Sequence, residues 1–324
     1  MSKPLLLLTR HFPEAVEARA ARDYATIPNT ADTPMTGPEI VAAARKAEPA
    51  GILCAAGDAL NAETIAALPE SVRIIATFSA GTDHIDLAAA AARGIPVANT
   101  PDVLSVATAE IAMLLILSAA RRGGEAERLV RARQWTGWAP TQLMGVTLEG
   151  KVLGILGMGR IGQALARMAR GFGMEIHYRN RRPLPEAEAQ GATYHDSDES
   201  FLGAIDVLSM HIPGGAATRH WLDARRIALL RPGAIVVNTG RGSTVDDAAL
   251  CAALESGHLR AAGLDVFDGE PRIFEGYYSA PNVVLLPHLG SATVETRDAM
   301  GFRALDNVDA VLLRGEAPPY SVKL

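Results

Sequence analysis

Short apolar runs alternate with alanine-rich amphipathic stretches from the beginning of the chain. Leu5-Leu6-Leu7-Leu8 precedes Pro13 to Ala21, Gly51-Ile52-Leu53-Cys54 precedes Ala62 to Leu68, and Arg73-Ile74-Ile75-Ala76-Thr77-Phe78 closes the series. Runs that are apolar on both faces suit a parallel sheet covered by helices on each side, so the pattern predicts βα units that build one sheet up to about residue 102. A long helix is predicted over Val106 to Ala120, where apolar residues recur at helical spacing, Glu110 lies early and Arg121-Arg122 close the C-terminal end in the sense that the helix dipole favours. Residues 134–150 keep no period and read as a connector or arm that carries Trp135 and Trp138. For these indoles three roles stay open: packing on their own domain, burial at a subunit interface, or closure of a neighbouring active site.

A second alternating series starts at Val152. It predicts strands at 152–156, 175–178, 206–210, 234–238, 261–264 and 283–286, with helices at about 161–172, 198–203, 222–229 and 246–257. This is a complete doubly wound α/β pattern. The last amphipathic segment, about Thr293 to Leu313, has the length of a long helix that returns toward the first domain.

Composition narrows the class without changing this picture. The 324 residues, 48% hydrophobic and 21% charged, make a globular chain of about two domains. A net charge of −5 with only short arginine clusters gives little attraction for a polyanion, so nucleic acid is not an expected partner. Cys54 and Cys251 lie far apart among apolar neighbours, which predicts buried thiols rather than a disulfide framework or a metal module. The four-leucine run is too short for a signal-peptide core. The Ile111 to Ala120 stretch falls short of the roughly 20 apolar residues that cross a bilayer, and the expectation is a soluble cytoplasmic protein without a membrane partner.

The strongest local feature is Gly157-Met158-Gly159-Arg160-Ile161-Gly162, a G-x-G-x-x-G that directly follows an apolar strand and opens a helix. Gly157 suits the tight turn, Gly159 lets the backbone approach a pyrophosphate, and Gly162 lets helix and strand pack closely, which together predict a dinucleotide site. An acid that binds the ribose of NAD is expected about 20 residues on, yet the second strand ends in Tyr178-Arg179-Asn180-Arg181-Arg182. Glu175 stands at the start of that strand, too early to reach the ribose. Three guanidinium groups and an amide suit a 2′-phosphate, so NADPH is the expected cofactor, with NADH at lower affinity; the alternative is a solvated arginine-rich turn.

Three more segments bring polar chemistry to the end of an apolar strand. Arg241 follows Ala234 to Asn238, Glu270 sits in the loop after Leu264-Asp265, and His288 ends Val283 to Pro287. Ligands bind at strand C-termini of open sheets, and these groups supply an anion clamp and an acid–base pair there. Asp265 is a candidate for the nicotinamide or ribose side, or else it caps local backbone. His84 reads as structural, while His11, His177, His195, His211, His220 and His258 have no companion motif.

On these motifs the chain resembles the D-isomer-specific 2-hydroxyacid dehydrogenases, and within them the glyoxylate and hydroxypyruvate reductases. The marks are the glycine loop, Val237-Asn238-Thr239-Gly240-Arg241-Gly242, Gly263-Leu264-Asp265-Val266-Phe267-Asp268-Gly269-Glu270-Pro271 and Leu286-Pro287-His288-Leu289-Gly290-Ser291-Ala292-Thr293. The resemblance covers essentially the whole chain. It implies a Rossmann nucleotide-binding domain, 103–290, inserted in a flavodoxin-like catalytic domain made of 1–102 and 291–324. It assigns catalysis to Arg241, Glu270 and His288, further cofactor contacts to Thr239 and Asp265, and the substrate carboxylate to the backbone of Ala80 and Gly81 in Phe78-Ser79-Ala80-Gly81-Thr82-Asp83-His84.

The implied reaction is reduction of a small 2-oxoacid, glyoxylate or hydroxypyruvate, to the D-2-hydroxyacid, with His288 as proton donor, Arg241 and His288 polarising the substrate carbonyl, and no metal. The resemblance also implies a homodimer, and Trp138 is then the candidate, among the roles left open above, to approach the partner's site. Alternatives in the same family are a 2-ketogluconate or other 2-oxoacid reductase and an NAD-dependent 3-phosphoglycerate dehydrogenase; a nucleotide-sensing corepressor is the alternative of a different class.

Overall fold

The structure, a computed structural model, describes residues 3–323. It falls into two compact units, one that runs to Leu104 and resumes at Ala292, the other Ser105–Ser291.

The first unit is a five-stranded parallel sheet of β1 (Leu5–Leu8), β2 (Ala25–Ile27), β3 (Gly51–Ala55), β4 (Ile75–Phe78) and β5 (Val97–Ala98) in the order β2-β1-β3-β4-β5. This is the flavodoxin-like order. Successive strand residues face opposite sides. Leu7, Ile52 and Ile75 join Ile40 and Ala44 of the helix Gly37–Ala47 in one core. Leu6, Leu8, Leu53 and Ala76 join Val16 and Ala20 of the helix Glu14–Asp23, with Ala304, Leu305 and Val308 of the helix Val294–Asp309, in the other. The helix Val294–Asp309 packs so tightly that a Cβ on Gly301 would lie 2.2 Å from Val16 Cγ2.

The apolar runs do not show β2 and β5, which are three and two residues long. Nor do they show the helix Gly37–Ala47, whose signal is a cap: the Glu39 carboxylate accepts from the Thr36 N–H at 2.8 Å and hydroxyl at 2.7 Å.

The second unit holds seven parallel strands: β6 (Val152–Leu156), β7 (Glu175–Arg179), β8 (Thr193–Tyr194), β9 (Val207–Met210), β10 (Ala234–Asn238), β11 (Leu259–Leu264) and β12 (Val283–Leu285). Their order, β12-β11-β10-β9-β6-β7-β8, is the Rossmann order with one strand added beyond its sixth. Chain direction across the sheet reverses between β6 and β9, and ligands of open α/β sheets bind beyond the strand ends at such a point.

The helix Ser105–Ala120 belongs to this unit and buries Ala109, Ala112, Leu115 and Ile116 with Leu165 and Ala166 of the helix Arg160–Arg170. Expected helix 222–229 shrinks to one turn, Ala224–Ile227, because Asp223 caps it by accepting from Arg226 N at 2.8 Å. The final helix ends at Asp309 and continues as a π-helical turn, Ala310–Arg314. No regular element spans 134–150, and Trp135 and Trp138 are 55% and 81% exposed, so neither indole is buried on its own chain. Among the described residues no helix is long and apolar enough to cross a membrane, and Cys54 and Cys251 are buried and unpaired.

Candidate active site

The glycine loop follows β6 at the point of reversal. Gly157 turns the chain at φ +86°, a backbone conformation costly for residues with a Cβ. A Cβ on Gly162 would stand 2.8 Å from Ile155 Cγ2 and 2.9 Å from Gly157 O, so the helix Arg160–Arg170 lies directly on its strand. On Gly159 a Cβ would meet no atom within 4 Å. Open space thus lies in front of the first helical turn, whose N–H groups have no intrahelical acceptor. Met158 is buried beneath the loop, Ile161 packs against the core, and Arg160 is exposed in the first turn. These features fit a dinucleotide pyrophosphate.

Four polar residues follow β7 or end it, and the structure separates their tasks. Asn180 Oδ1 accepts from Met158 N at 2.7 Å, so this amide braces the glycine loop. Arg179 is tied to its own chain, donating to Asn180 O at 2.7 Å and to Asp198 Oδ1 at 3.4 Å; Asp198 also accepts from Arg226 Nε at 2.8 Å. Arg181 and Arg182 are exposed and make no hydrogen bond or ion pair among the described residues. Glu175 is exposed at the first residue of β7, the far end of the strand from this cluster.

At the ends of β10, β11 and β12 the loops interlock. Asn238 accepts from Gly240 N at 2.9 Å and donates to Arg241 O at 3.0 Å, which folds the chain back after Arg241. A Cβ on Gly242 would come within 1.9 Å of the Phe267 carbonyl carbon, so the loop after Arg241 rests on the loop that carries Glu270. Glu270 accepts from Phe267 N at 2.7 Å through Oε1 and meets His288 Nδ1 at 2.8 Å through Oε2.

Burial alone pushes the Glu270 carboxyl up. The hydrogen bond and charge of His288, with smaller help from Phe267 N–H and Arg241, outweigh burial and hold it below the usual carboxylate range. His288 moves the opposite way: its hydrogen bond to Glu270 raises it against burial and against the Arg241 charge. Both shifts favour an imidazolium–carboxylate pair. His288 Nε2 has no partner among the described residues, and the side chain is 47% exposed. A recess of about 380 Å³, lined by Phe267, Ile273, Tyr278, Leu286 and Pro287, flanks the pair with apolar surface.

Asp265 is 1% exposed and its carboxylate accepts from Leu289 N at 2.6 Å and Gly290 N at 2.8 Å, while its carbonyl accepts from His288 N at 2.9 Å. These bonds make it a clamp of the His288 loop, where His288 sits at φ +55°. Thr239 meets His211 Nδ1 at 3.2 Å, and His211 Nε2 meets Ser209 Oγ at 2.9 Å. Burial lowers His211 to about 4, which keeps it neutral beside the glycine loop. A second missed cluster joins His177 and His195, ring nitrogens 3.0 Å apart, both lowered chiefly by burial. Their companions come from separate elements, which no linear motif reveals. Ala80 and Gly81 lie in the first unit, in the loop after β4, partly exposed. No group of three or more metal-ligating side chains occurs among the described residues.

A family model described as D-isomer specific 2-hydroxyacid dehydrogenase, NAD binding domain, matches residues 113–290. The chain is 45% identical over 313 residues to a glycerate dehydrogenase of Hyphomicrobium methylovorum, covering 96% of this chain and 97% of that one. It is 41% identical to a glyoxylate reductase of Thermococcus litoralis, covering 99% and 97%. An NADPH-dependent glyoxylate/hydroxypyruvate reductase from Sinorhizobium meliloti, solved with NADP and malonate, superposes at a TM-score of 0.87 with 37% identity over 99% and 97% of the two chains. With two doubly wound sheets, a glycine loop at the switch point and these relatives across its length, the chain belongs to the D-isomer-specific 2-hydroxyacid dehydrogenases, oxidoreductases that work with a nicotinamide cofactor.

Proposed function

We propose that this dehydrogenase reduces a small 2-oxoacid, glyoxylate or hydroxypyruvate, to the D-2-hydroxyacid and prefers NADPH. The observation that carries the reading is the Glu270–His288 pair, 2.8 Å apart, with Nε2 left to face a substrate. When bound, the cofactor supplies the hydride that reaches C2. His288 Nε2 gives its proton to the carbonyl oxygen, and Glu270 holds Nδ1–H so that the ring keeps orientation and charge. Arg241 polarises the same oxygen, and its charge already acts on both members of the pair. Ala80 and Gly81 take the carboxylate through main-chain N–H groups. In this reading residues 103–290 form the nucleotide domain, and 1–102 with 291–324 form the substrate domain.

The preference for NADPH rests on Arg181 and Arg182, cations without an acid partner in the turn that Asn180 fixes to the glycine loop. Purified protein should oxidise NADPH with glyoxylate or hydroxypyruvate, and Arg181→Ala should raise KM for NADPH by roughly tenfold with far less effect on NADH. Equal changes for both cofactors would remove Arg181 from phosphate recognition, and no turnover with either oxoacid would sink the substrate assignment.

We further infer a homodimer. Val106, Leu114, Val130, Trp135, Trp138 and Met144 are exposed along the helices Ser105–Ala120 and Gly123–Arg131 and the arm that follows, more apolar surface than isolated side chains need. Trp138 is the residue offered to the partner's site. Sedimentation velocity is expected to give twice the chain mass; a species at 34.2 kDa across micromolar concentrations overturns the dimer.

A further inference from the structure

The loop after β4 has its carbonyl groups tied down one after another. Ser79 O accepts from Thr100 N at 2.9 Å, Ala80 O from Asn99 Nδ2 at 2.7 Å, Gly81 O from Ser79 Oγ at 2.6 Å and Thr82 O from Ile85 N at 3.0 Å. A trans peptide is planar, with its N–H opposed to its C=O, so each bond also fixes the N–H of the next residue. The N–H groups of Ala80, Gly81 and Thr82 donate to nothing among the described residues. Three oriented donors are thereby left on one short loop.

Two of these constraints come from side chains. Asn99 holds the peptide that ends in the Gly81 N–H, and its own backbone is held in turn: Asn99 O accepts from Asn307 Nδ2 at 3.2 Å and Asn99 N donates to Tyr320 O at 3.2 Å. Ser79 holds the peptide that ends in the Thr82 N–H, and its hydroxyl closes a directed chain. Gly81 O can only accept, so Ser79 Oγ donates to it. The Ser79 oxygen then accepts from Thr77 Oγ1 at 2.8 Å, and Thr77 Oγ1 accepts from His84 Nε2 at 2.9 Å. Thr77 is fully buried, which shields the relay from competing water.

We propose that Ser79 and Asn99 are positioning residues: Asn99 aims the Gly81 N–H at the substrate carboxylate, and Ser79 aims the Thr82 N–H as a third donor beside those of Ala80 and Gly81, with Thr77 and His84 fixing the direction of the Ser79 hydroxyl. The proposal rests on the reading that this loop holds that carboxylate. Without either side chain the peptide planes turn more freely, and the loop loses anion affinity while the nucleotide site is untouched.

The test measures KM for glyoxylate, the inhibition constant of oxamate, KM for NADPH and the melting temperature. Ser79→Ala and Asn99→Ala are each expected to weaken glyoxylate and oxamate about three- to tenfold, the loss of one hydrogen bond, with KM for NADPH unchanged. Ser79→Thr, which keeps the hydroxyl, is expected to restore both constants at the melting temperature of the parent. Gly81→Val separates the positioning role from the carboxylate loop, because a side chain there obstructs the loop itself. If Gly81→Val weakens glyoxylate while Ser79→Ala and Asn99→Ala do not, the positioning role is overturned and the carboxylate loop stands. If Gly81→Val changes neither constant, the loop does not hold the carboxylate. If Ser79→Thr fails to restore the constants, or KM for NADPH rises in parallel, Ser79 acts through general packing and the proposal falls.

Discussion

His288→Ala is expected to lower kcat for oxoacid reduction by roughly 10²–10⁴, the range for a positioned proton donor, with KM for NADPH nearly unchanged. The ring is held by Glu270 at one nitrogen and by the Asp265 clamp at its backbone, so the direction of its other nitrogen is fixed. Truncation also leaves the Glu270 carboxylate, 33% exposed, without its cation. Melting temperature should be followed in parallel, and His288→Asn serves as a companion that retains a donor toward Glu270. Steady-state rates within about threefold of the parent enzyme would mean that the proton comes from another group.

The second large effect is expected from Glu270→Gln. In the proposed mechanism reduction needs the imidazolium, so kcat should fall as pH rises through the His288 pKa, and Glu270 raises that pKa. With glutamine in place the hydrogen bond survives but the charge is gone, while burial and Arg241 continue to push the imidazole down. The alkaline limb of the reductive pH profile should therefore move to lower pH, and kcat at neutral pH should fall by about 10². Oxidation of the hydroxyacid starts from neutral imidazole, so its acid limb should move in the same direction. A reductive profile that keeps its alkaline limb would show that Glu270 orients His288 without setting its charge.

Much of this site is legible in the sequence because its demands are local. Gly157 needs a positive φ and Gly162 needs contact with Ile155, and both follow from a short segment between strand and helix. Arg241, Glu270 and His288 are visible because each follows an apolar run long enough to mark a strand end. What stays hidden depends on partners remote in sequence. That the Asp265 carboxylate accepts from Leu289 and Gly290, and so clamps the loop of His288, is not visible from its own segment. Arg179 looks equivalent to Arg181 until Asp198 takes hold of it. Asn180 reads as a phosphate contact, yet its Oδ1 accepts from the glycine loop. His211 gains its hydroxyl partners from two strands, Ser209 on its own and Thr239 after the next. The strands β2, β5 and β8 are three residues or fewer, too short for any period to register, and they stand where neighbouring strands place them.

The first unit is interrupted in the chain, and that arrangement sets an order for its birth on the ribosome. Leu6, Leu8 and Ala76 are made early, but Ala304, Leu305 and Val308, which cover them, follow only after all of 105–291 has been synthesised. At about 5–20 residues per second the delay is roughly 10–40 s, during which one face of the nascent sheet lacks its cover. Tyr320, which holds Asn99, arrives later still. The nucleotide unit can therefore finish folding while Asn99, and the loop after β4 that it ties, still waits for Tyr320.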